Sequence, residues 1–180
     1  RGFLTASEVS MLIKTESRND TIKRAFLFGC FTGLRVSDLS DLRWEDIKQD
    51  GQDLRLQVVM QKTKSPLYMK LNRQAVQSLP DRGAAAGTDR VFSPLPTLST
   101  IERILRQWGK DAGVEKHFTF HTSRHTFGTL TLNAGADLYT VSKLMGHKNL
   151  QTTQIYAELL NQTRDDAVDR LSDIFSEVGS

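Results

Sequence analysis

The sequence predicts a mainly α-helical fold with a small antiparallel β-hairpin sheet. Helix-start patterns and glycine stops recur along the chain, and one short region changes to the alternation of a strand. At 180 residues, the chain is long enough to bury a sizeable core in one domain. Its composition, 38% hydrophobic and 25% charged, is typical of a soluble globular protein, and no apolar run reaches the roughly 20 residues of a membrane helix.

Two helices and a shorter one are predicted in the first 47 residues. A capping box with flanking apolar residues opens the first helix: Leu4, Thr5, Glu8, Val9. The second helix begins at Asn19 or Asp20 and ends at Gly33, which is a natural residue for a helix stop. "LRVSDLSDLRWEDI" follows as a short helix and a turn.

A change of hydrophobic period predicts the hairpin. Two alternating segments carry apolar residues on one face: Leu54, Leu56, Val58, Met60, and then Leu67, Met69, Leu71. The turn dipeptide Asp50-Gly51 introduces the first segment, and "QKTKSP" separates the two. Lys62 and Lys64 therefore lie near the tip of the hairpin.

The second half of the chain is predicted to be helical after a surface loop over residues 81–99. Ser99 and Glu102 indicate a capping box for a helix that ends at Gly113. The next helix spans residues 122–133, with an expected core stripe of Phe120, Phe127, Leu130, Ala134. "ADLYTVSKLM", "TTQIYAELL" and an amphipathic tail follow.

Charge and cysteine content narrow the function only modestly. The formal net charge of +3 fits a polyanionic partner, but many basic proteins bind no nucleic acid. The single cysteine, Cys30, excludes an internal disulfide, and its apolar surroundings predict a buried, inert thiol. With no signal peptide in view, a cytoplasmic location is the default expectation.

The segment "HTSRH" contains two histidines four residues apart, which suggests either a metal site or an anion site. A zinc helix would need a carboxylate beside His121 and a third ligand, whereas Arg124 places a fixed positive charge one turn away. An anion site fits better, because further residues suited to phosphate chemistry occur elsewhere in the chain: Arg35, Lys62, His147, Tyr156. We therefore expect no metal and no cofactor.

The sequence motifs that contain these residues resemble those of the tyrosine recombinase (phage integrase) family. "TGLRVSDL", "QKTK" and "HTSRHTFGTLTLNAGADLYTVSKLMGHKNLQTTQIYAEL" occur in the family's order and cover almost the whole chain. The resemblance implies a tyrosine recombinase catalytic-domain fold over residues 1–164 and an amphipathic tail helix over residues 165–180. It also implies that the N-terminal core-binding domain of longer relatives is absent from this chain.

The resemblance also assigns chemical roles. Tyr156 would attack the phosphorus of DNA, giving a 3′-phosphotyrosyl link and a free 5′-hydroxyl. Arg35 and Arg124 would hold the non-bridging oxygens with forked donors, as metal-independent phosphoryl transfer requires. His121 would handle the proton at the attacking side, and His147 would donate a hydrogen bond to the phosphate. Lys62 would protonate the leaving 5′-oxygen, with Lys64 as the alternative residue for this role.

Several alternatives stay open from the residues alone. Tyr156 could be a packing residue, since apolar side chains surround it in the sequence. Asp38 could orient the guanidinium of Arg35 or form a simple surface ion pair with it. His125 either supports the phosphate-binding arginine beside it, Arg124, or is a buried core histidine.

The function implied is that of a site-specific DNA recombinase or integrase that serves a mobile element in the bacterial cytoplasm, at the nucleoid. Its partner would be double-stranded DNA, bound by a homo-tetramer that is monomeric without DNA, with accessory DNA-bending factors left open. The tail over residues 165–180 would dock on a neighbouring protomer or cover its own domain. The alternatives are a topoisomerase IB-like relaxing enzyme and a non-cleaving DNA-binding module.

Overall fold

The computed structural model describes residues 2–147, which form a mostly helical body with one small antiparallel sheet. The helices are α1 (Ala6–Lys14), α2 (Asp20–Thr32), α3 (Val36–Asp41), α4 (Arg73–Ser78), α5 (Leu98–Asp111), α6 (Phe120–Asn133) and α7 (Leu138–Leu144). The strands are β1 (Ile47–Asp50), β2 (Asp53–Val59) and β3 (Pro66–Lys70), with a 3₁₀ turn over Trp44–Asp46. The predicted fold class is confirmed. No helix of this part of the chain combines the length and apolar character needed to cross a membrane.

The ends of the first two helices lie where local sequence signals predict them. In α1, the Thr5 hydroxyl accepts a hydrogen bond from the Glu8 backbone N–H at 3.2 Å, and the Glu8 carboxylate accepts one from the Thr5 backbone N–H at 2.7 Å. The Asn19 side chain caps α2, and Gly33 ends it with a φ of 72°. Caps of this kind involve residues three or four positions apart, which is why sequence alone locates them.

The capping box predicted for α5 is wrong. This helix begins at Leu98 after the N-cap Thr97, so Ser99 already lies inside its first turn. The Glu102 carboxylate instead accepts a hydrogen bond from the backbone N–H of Phe120, at 3.0 Å. Glu102 therefore satisfies a donor at the N-terminus of α6, the helix that carries the "HTSRH" segment.

The sheet has three strands where a two-stranded hairpin was predicted. β1 pairs with β2 through the Asp50-Gly51 turn, and β2 pairs with β3, all antiparallel. The sequence of β1, "IKQD", is short and polar, so it carries no alternation that could reveal it. Leu56 and Leu67 bury one face of the sheet, and residues 60–65 connect β2 to β3.

The region between the sheet and α5 also differs from the prediction. Helix α4, capped by Asn72, was not predicted, because it has only six residues. The irregular segment after it was predicted to be a surface loop, but Val91 and Phe92 are buried in the core at 5% and 1% exposure. Phe92 packs its ring on Phe28 of α2, so this loop is part of the hydrophobic core.

Helices α2 and α6 pack closely against each other, and one glycine in α2 and another at its C-terminal cap make this approach possible. A Cβ on Gly29 would lie 2.7 Å from the Ser123 hydroxyl oxygen, and one on Gly33 would lie 2.5 Å from the Phe127 ring. Helix α6 is consequently buried on almost every side. The expected core stripe holds for Phe120 and Phe127, whereas Ala134 is exposed.

Candidate active site

Arg124 lies at the centre of the candidate site and is almost completely buried, at 2% exposure. Its Nη1 donates a hydrogen bond to the Gly33 carbonyl at 2.6 Å, and its Nη2 donates one to the Met145 carbonyl. These carbonyls belong to the C-terminal ends of α2 and α7, where partial negative charge favours a cation. The guanidinium thus fastens two helix ends together and brings a permanent positive charge into the interior.

Arg35 approaches the same place from the start of α3. It is the N-cap residue of that helix, two residues after Gly33, and it is half-buried. Its Nη1 lies 3.9 Å from the sulfur of Met60, at the end of β2. Gly33 therefore links the two arginines, because its carbonyl accepts from Arg124 and its chain leads directly into Arg35.

Among residues 2–147, the Asp38 carboxylate accepts hydrogen bonds from two backbone N–H groups. Its side chain is 7% exposed. One carboxylate oxygen accepts from the Arg35 backbone N–H at 3.2 Å, and the other accepts from the Gln61 backbone N–H at 2.9 Å. Asp38 thus contacts the Arg35 main chain, and an effect of Asp38 on the Arg35 guanidinium stays a prediction.

Lys62 lies on the connection between β2 and β3, and this turn packs against the end of α7. A Cβ on Gly146 would lie 2.3 Å from the Met60 sulfur and 3.5 Å from the Thr63 hydroxyl oxygen. Gly146 has a φ of 60°, and His147 follows it immediately. Lys62 is exposed, and so is Lys64, whose φ is 55°. The turn that carries both lysines therefore lies against the end of α7.

His147 responds to both arginines. Its backbone N–H donates to the Ser142 carbonyl at 3.0 Å, which fixes it at the end of α7. The pKa of His147 is lowered from 6.5 to about 4, most of all by burial, then by the positive charges of Arg124 and Arg35, with a smaller contribution from His125. The imidazole is therefore neutral at pH 7 and lies within the field of both guanidinium groups.

The two histidines of "HTSRH" differ in their surroundings. His121 is exposed at the first turn of α6, whereas His125 is buried at 8% exposure. Their rings meet edge to face, with centroids 4.7 Å apart. His125 thus lies behind His121 and can support it, and His121 is the more exposed residue of the two.

The structure brings three of the six predicted residues together: Arg35, Arg124, His147. Lys62 lies on the turn whose Met60 and Thr63 face Gly146, the residue before His147. His121 joins them one turn before Arg124 on α6. Tyr156 and the tail over residues 165–180 lie outside the described residues. In the described range, 2–147, no three His, Cys, Asp or Glu side chains are grouped so as to hold a metal ion.

Two residues that shape the site were not predicted. Met60 was assigned only to the apolar face of the hairpin, and Gln61 was not considered at all. Neither residue type signals function in a sequence, since their importance comes from contacts with α3 and α7, far away in the chain. Their position directly before Lys62 is the one local hint.

Comparisons with known proteins concern the family and the fold. The sequence model described as "Phage integrase family" matches residues 2–163. A tyrosine recombinase of Pseudothermotoga lettingae is 32% identical over 176 residues, which cover 94% of this chain and 60% of that protein. The chain thus spans about three fifths of the length of this curated relative.

Solved structures show the same similarity in three dimensions. The crystal structure of a XerA recombinase superposes with a TM-score of 0.70 at 26% identity, covering 91% of this chain and 64% of that one. The catalytic domain of bacteriophage HP1 integrase superposes with a TM-score of 0.67 at 20% identity, covering 93% and 94% of the two chains. At that identity, the second likeness concerns the fold alone.

Proposed function

The chain belongs to the phage integrase family, and from this premise we propose that it is the catalytic part of a site-specific DNA recombinase. One observation of the site carries the proposal. Arg124 is buried against the Gly33 carbonyl, Arg35 follows Gly33 by two residues, and the positive charges of both arginines lower the pKa of the half-buried His147. Such a concentration of positive charge beside a neutral donor is suited to a phosphodiester.

The two arginines would bind the non-bridging oxygens of the scissile phosphate. Phosphoryl transfer depends on positioning and on stabilising negative charge, and a guanidinium supplies both through its planar fork of donors. Arg124 is already oriented by two carbonyls, so little reorganisation is needed when the anion arrives. By comparison with single oxyanion donors, the loss of either arginine should raise the barrier by about 3–4 kcal/mol.

The neutral and exposed groups would handle hydrogen bonds and protons. A neutral imidazole carries one N–H donor, so His147 can donate to a phosphate oxygen. The exposed ring of His121 can accept the proton of the attacking phenol. Lys62, exposed on its turn, can protonate the leaving 5′-oxygen, a role worth roughly 10²–10⁴-fold in rate.

Tyr156 is the proposed nucleophile and would form the 3′-phosphotyrosyl intermediate. A tyrosine with a pKa near 10 is ionised in about one molecule in a thousand at pH 7, a deficit of roughly 4 kcal/mol. A base and nearby cations would reduce this deficit. The arginines and the lysine also supply the charge that a metal ion provides in other phosphoryl transfers, so the proposed reaction is metal-independent.

A covalent-adduct assay tests this proposal. The chain is incubated with a nicked suicide DNA substrate, and the protein–DNA adduct is counted on a denaturing gel. We expect an adduct that forms in EDTA and is lost in Tyr156→Phe. Tyr68→Phe and Tyr139→Phe are matched controls, because these exposed tyrosines account for the remaining tyrosines of the chain. An adduct that persists in Tyr156→Phe, or none with the unaltered chain, would refute the proposal.

Plasmid relaxation, DNA binding and strand-exchange assays separate the recombinase from its alternatives. A topoisomerase IB-like enzyme would relax supercoiled plasmid without site dependence, and a non-cleaving module would bind without forming an adduct. Strand exchange between two copies of one site, by a chain that is monomeric without DNA and tetrameric on it, is the outcome we expect. Excision or integration of a mobile element is the biological role proposed, at the bacterial nucleoid and with accessory DNA-bending factors still to be sought.

The proposed organisation is a catalytic domain over residues 1–164 and a tail helix over residues 165–180. Removing residues 165–180 and measuring assembly on DNA by sedimentation tests the tail. Loss of the tetramer would show docking between protomers, whereas unchanged assembly would show that the tail covers its own domain.

A further inference from the structure

Gln61 connects the lysine turn to α3 through two separate hydrogen bonds. Its backbone N–H donates to Asp38 Oδ1 at 2.9 Å. Its side-chain Nε2 donates to Asp41 Oδ2. Asp38 and Asp41 are three residues apart on α3, so both acceptors lie on neighbouring turns of one helix face.

The same helix also positions Arg35. Asp38 accepts from the Arg35 backbone N–H with its second oxygen, so one buried carboxylate joins the start of α3 to the lysine turn. Asp41 is fixed in turn by Arg90, whose Nη2 donates to its other oxygen at 2.9 Å. Helix α3 therefore positions both Arg35 and the turn that carries Lys62.

Lys62 itself depends on this backbone. Among residues 2–147, its side chain makes no hydrogen bond and no ion pair, and it is exposed. The place where its ammonium group can act is consequently set by the path of the turn. Gln61, the residue directly before Lys62, fixes that path through one backbone and one side-chain hydrogen bond.

We propose that Gln61 is a positioning residue that holds Lys62 where it can protonate the leaving 5′-oxygen. This inference rests on the proposed function. In the step concerned, the bond from the Tyr156 oxygen to phosphorus forms and the bond from phosphorus to the 5′-oxygen breaks. The phenol proton leaves to a base, and the 5′-oxygen takes a proton from the Lys62 ammonium group.

The test compares two leaving groups in single-turnover cleavage. One substrate is ordinary DNA, and the other carries sulfur in place of the bridging 5′-oxygen at the scissile position. A thiolate leaves without a proton donor, so the ratio of the sulfur rate to the oxygen rate reports how well the acid acts. Lys62→Ala should raise this ratio roughly 10²–10⁴-fold.

Gln61→Ala should raise the ratio about 10-fold, less than the roughly 10²-fold that a displacement of about 1 Å can cost. Asp41→Ala should do the same, and the double variant should add little to either single change, because both remove one contact. Gln57→Ala, an exposed glutamine on β2 of the same sheet, is the matched control and should leave both rates unchanged.

The outcomes separate the two levels of inference. If the unaltered chain forms no adduct with either substrate, the proposed function fails. If it does, but Lys62→Ala is not rescued by sulfur, the acid role of Lys62 fails and the positioning role of Gln61 fails with it. If Lys62→Ala is rescued while Gln61→Ala lowers both rates equally or neither, Gln61 is only structural and the inference is overturned.

Discussion

Replacing Gly146 by alanine tests how the lysine turn is seated against the end of α7. Gly146 has a φ of 60°, and a Cβ there would lie 2.3 Å from the Met60 sulfur. An L-residue in the left-handed region costs about 1–2 kcal/mol. Overpacking a buried contact adds about 1–3 kcal/mol, so the free energy of unfolding should fall by about 2–5 kcal/mol in total.

Gly51→Ala separates the two contributions. Gly51 has the same φ of 60°, but nothing lies within 4 Å of a Cβ at that position. It should therefore show only the backbone cost of about 1–2 kcal/mol. Urea unfolding of both variants measures the difference. In a double-mutant cycle, Met60→Ala combined with Gly146→Ala should show a favourable coupling of about 1–3 kcal/mol.

The functional consequence follows from what this contact joins. Met60 lies between the Arg35 guanidinium and the residue before His147, so moving it should disturb cleavage as well as stability. If Gly146→Ala and Gly51→Ala differ by less than about 0.5 kcal/mol, or if Gly146→Ala cleaves normally, the packing of the turn on α7 is not what organises the site.

Three further predictions concern the buried groups. Arg124→Lys should slow cleavage by about 10²–10³-fold and lower Tm, since one ammonium cannot serve the Gly33 and Met145 carbonyls together as a planar fork does; a normal single-turnover rate would contradict this. The pKa of His147 is depressed from 6.5 to about 4, so between these pH values the unfolded chain binds more protons and the free energy of unfolding falls as pH is lowered. Urea titrations at pH 7 and pH 4.5 measure this fall, which should be smaller in His147→Gln. An equal fall in the variant would exclude the depressed pKa. Burial raises the pKa of the Cys30 thiol, so a thiol reagent should react with it only on unfolding, and rapid reaction with the native chain would show that the thiol is accessible.

Local signals in the sequence were sufficient to place most helices. The caps at Thr5, Asn19 and Gly33 involve residues three or four positions apart, and the structure has them as predicted. The site residues were identified from motifs that resemble those of the family. Five of the six lie within the described residues. Their roles remain predictions, because Tyr156 lies outside the described part of the chain.

The parts that were not predicted depend on distant contacts. Glu102 matched a capping-box pattern, yet its carboxylate caps a helix that starts 18 residues later. Phe92 lies in an irregular, turn-rich segment, but it is buried because α2 offers a ring to pack on. The fully buried state of Arg124 follows from carbonyls of two other helices, one of them 91 residues earlier, which no local pattern can indicate.

The acceptors that hold Arg124 belong to the main chain, and this limits how the protein can diverge. A point mutation removes a side chain but leaves the carbonyl in place, so Met145 can be exchanged for another apolar residue of similar volume without losing its bond to the guanidinium. Gly33 has no such latitude, since its φ and the nearby Phe127 ring exclude any side chain. In a library that randomises these positions, functional variants should carry several different apolar residues at 145 and be nearly invariant at 33 and 124.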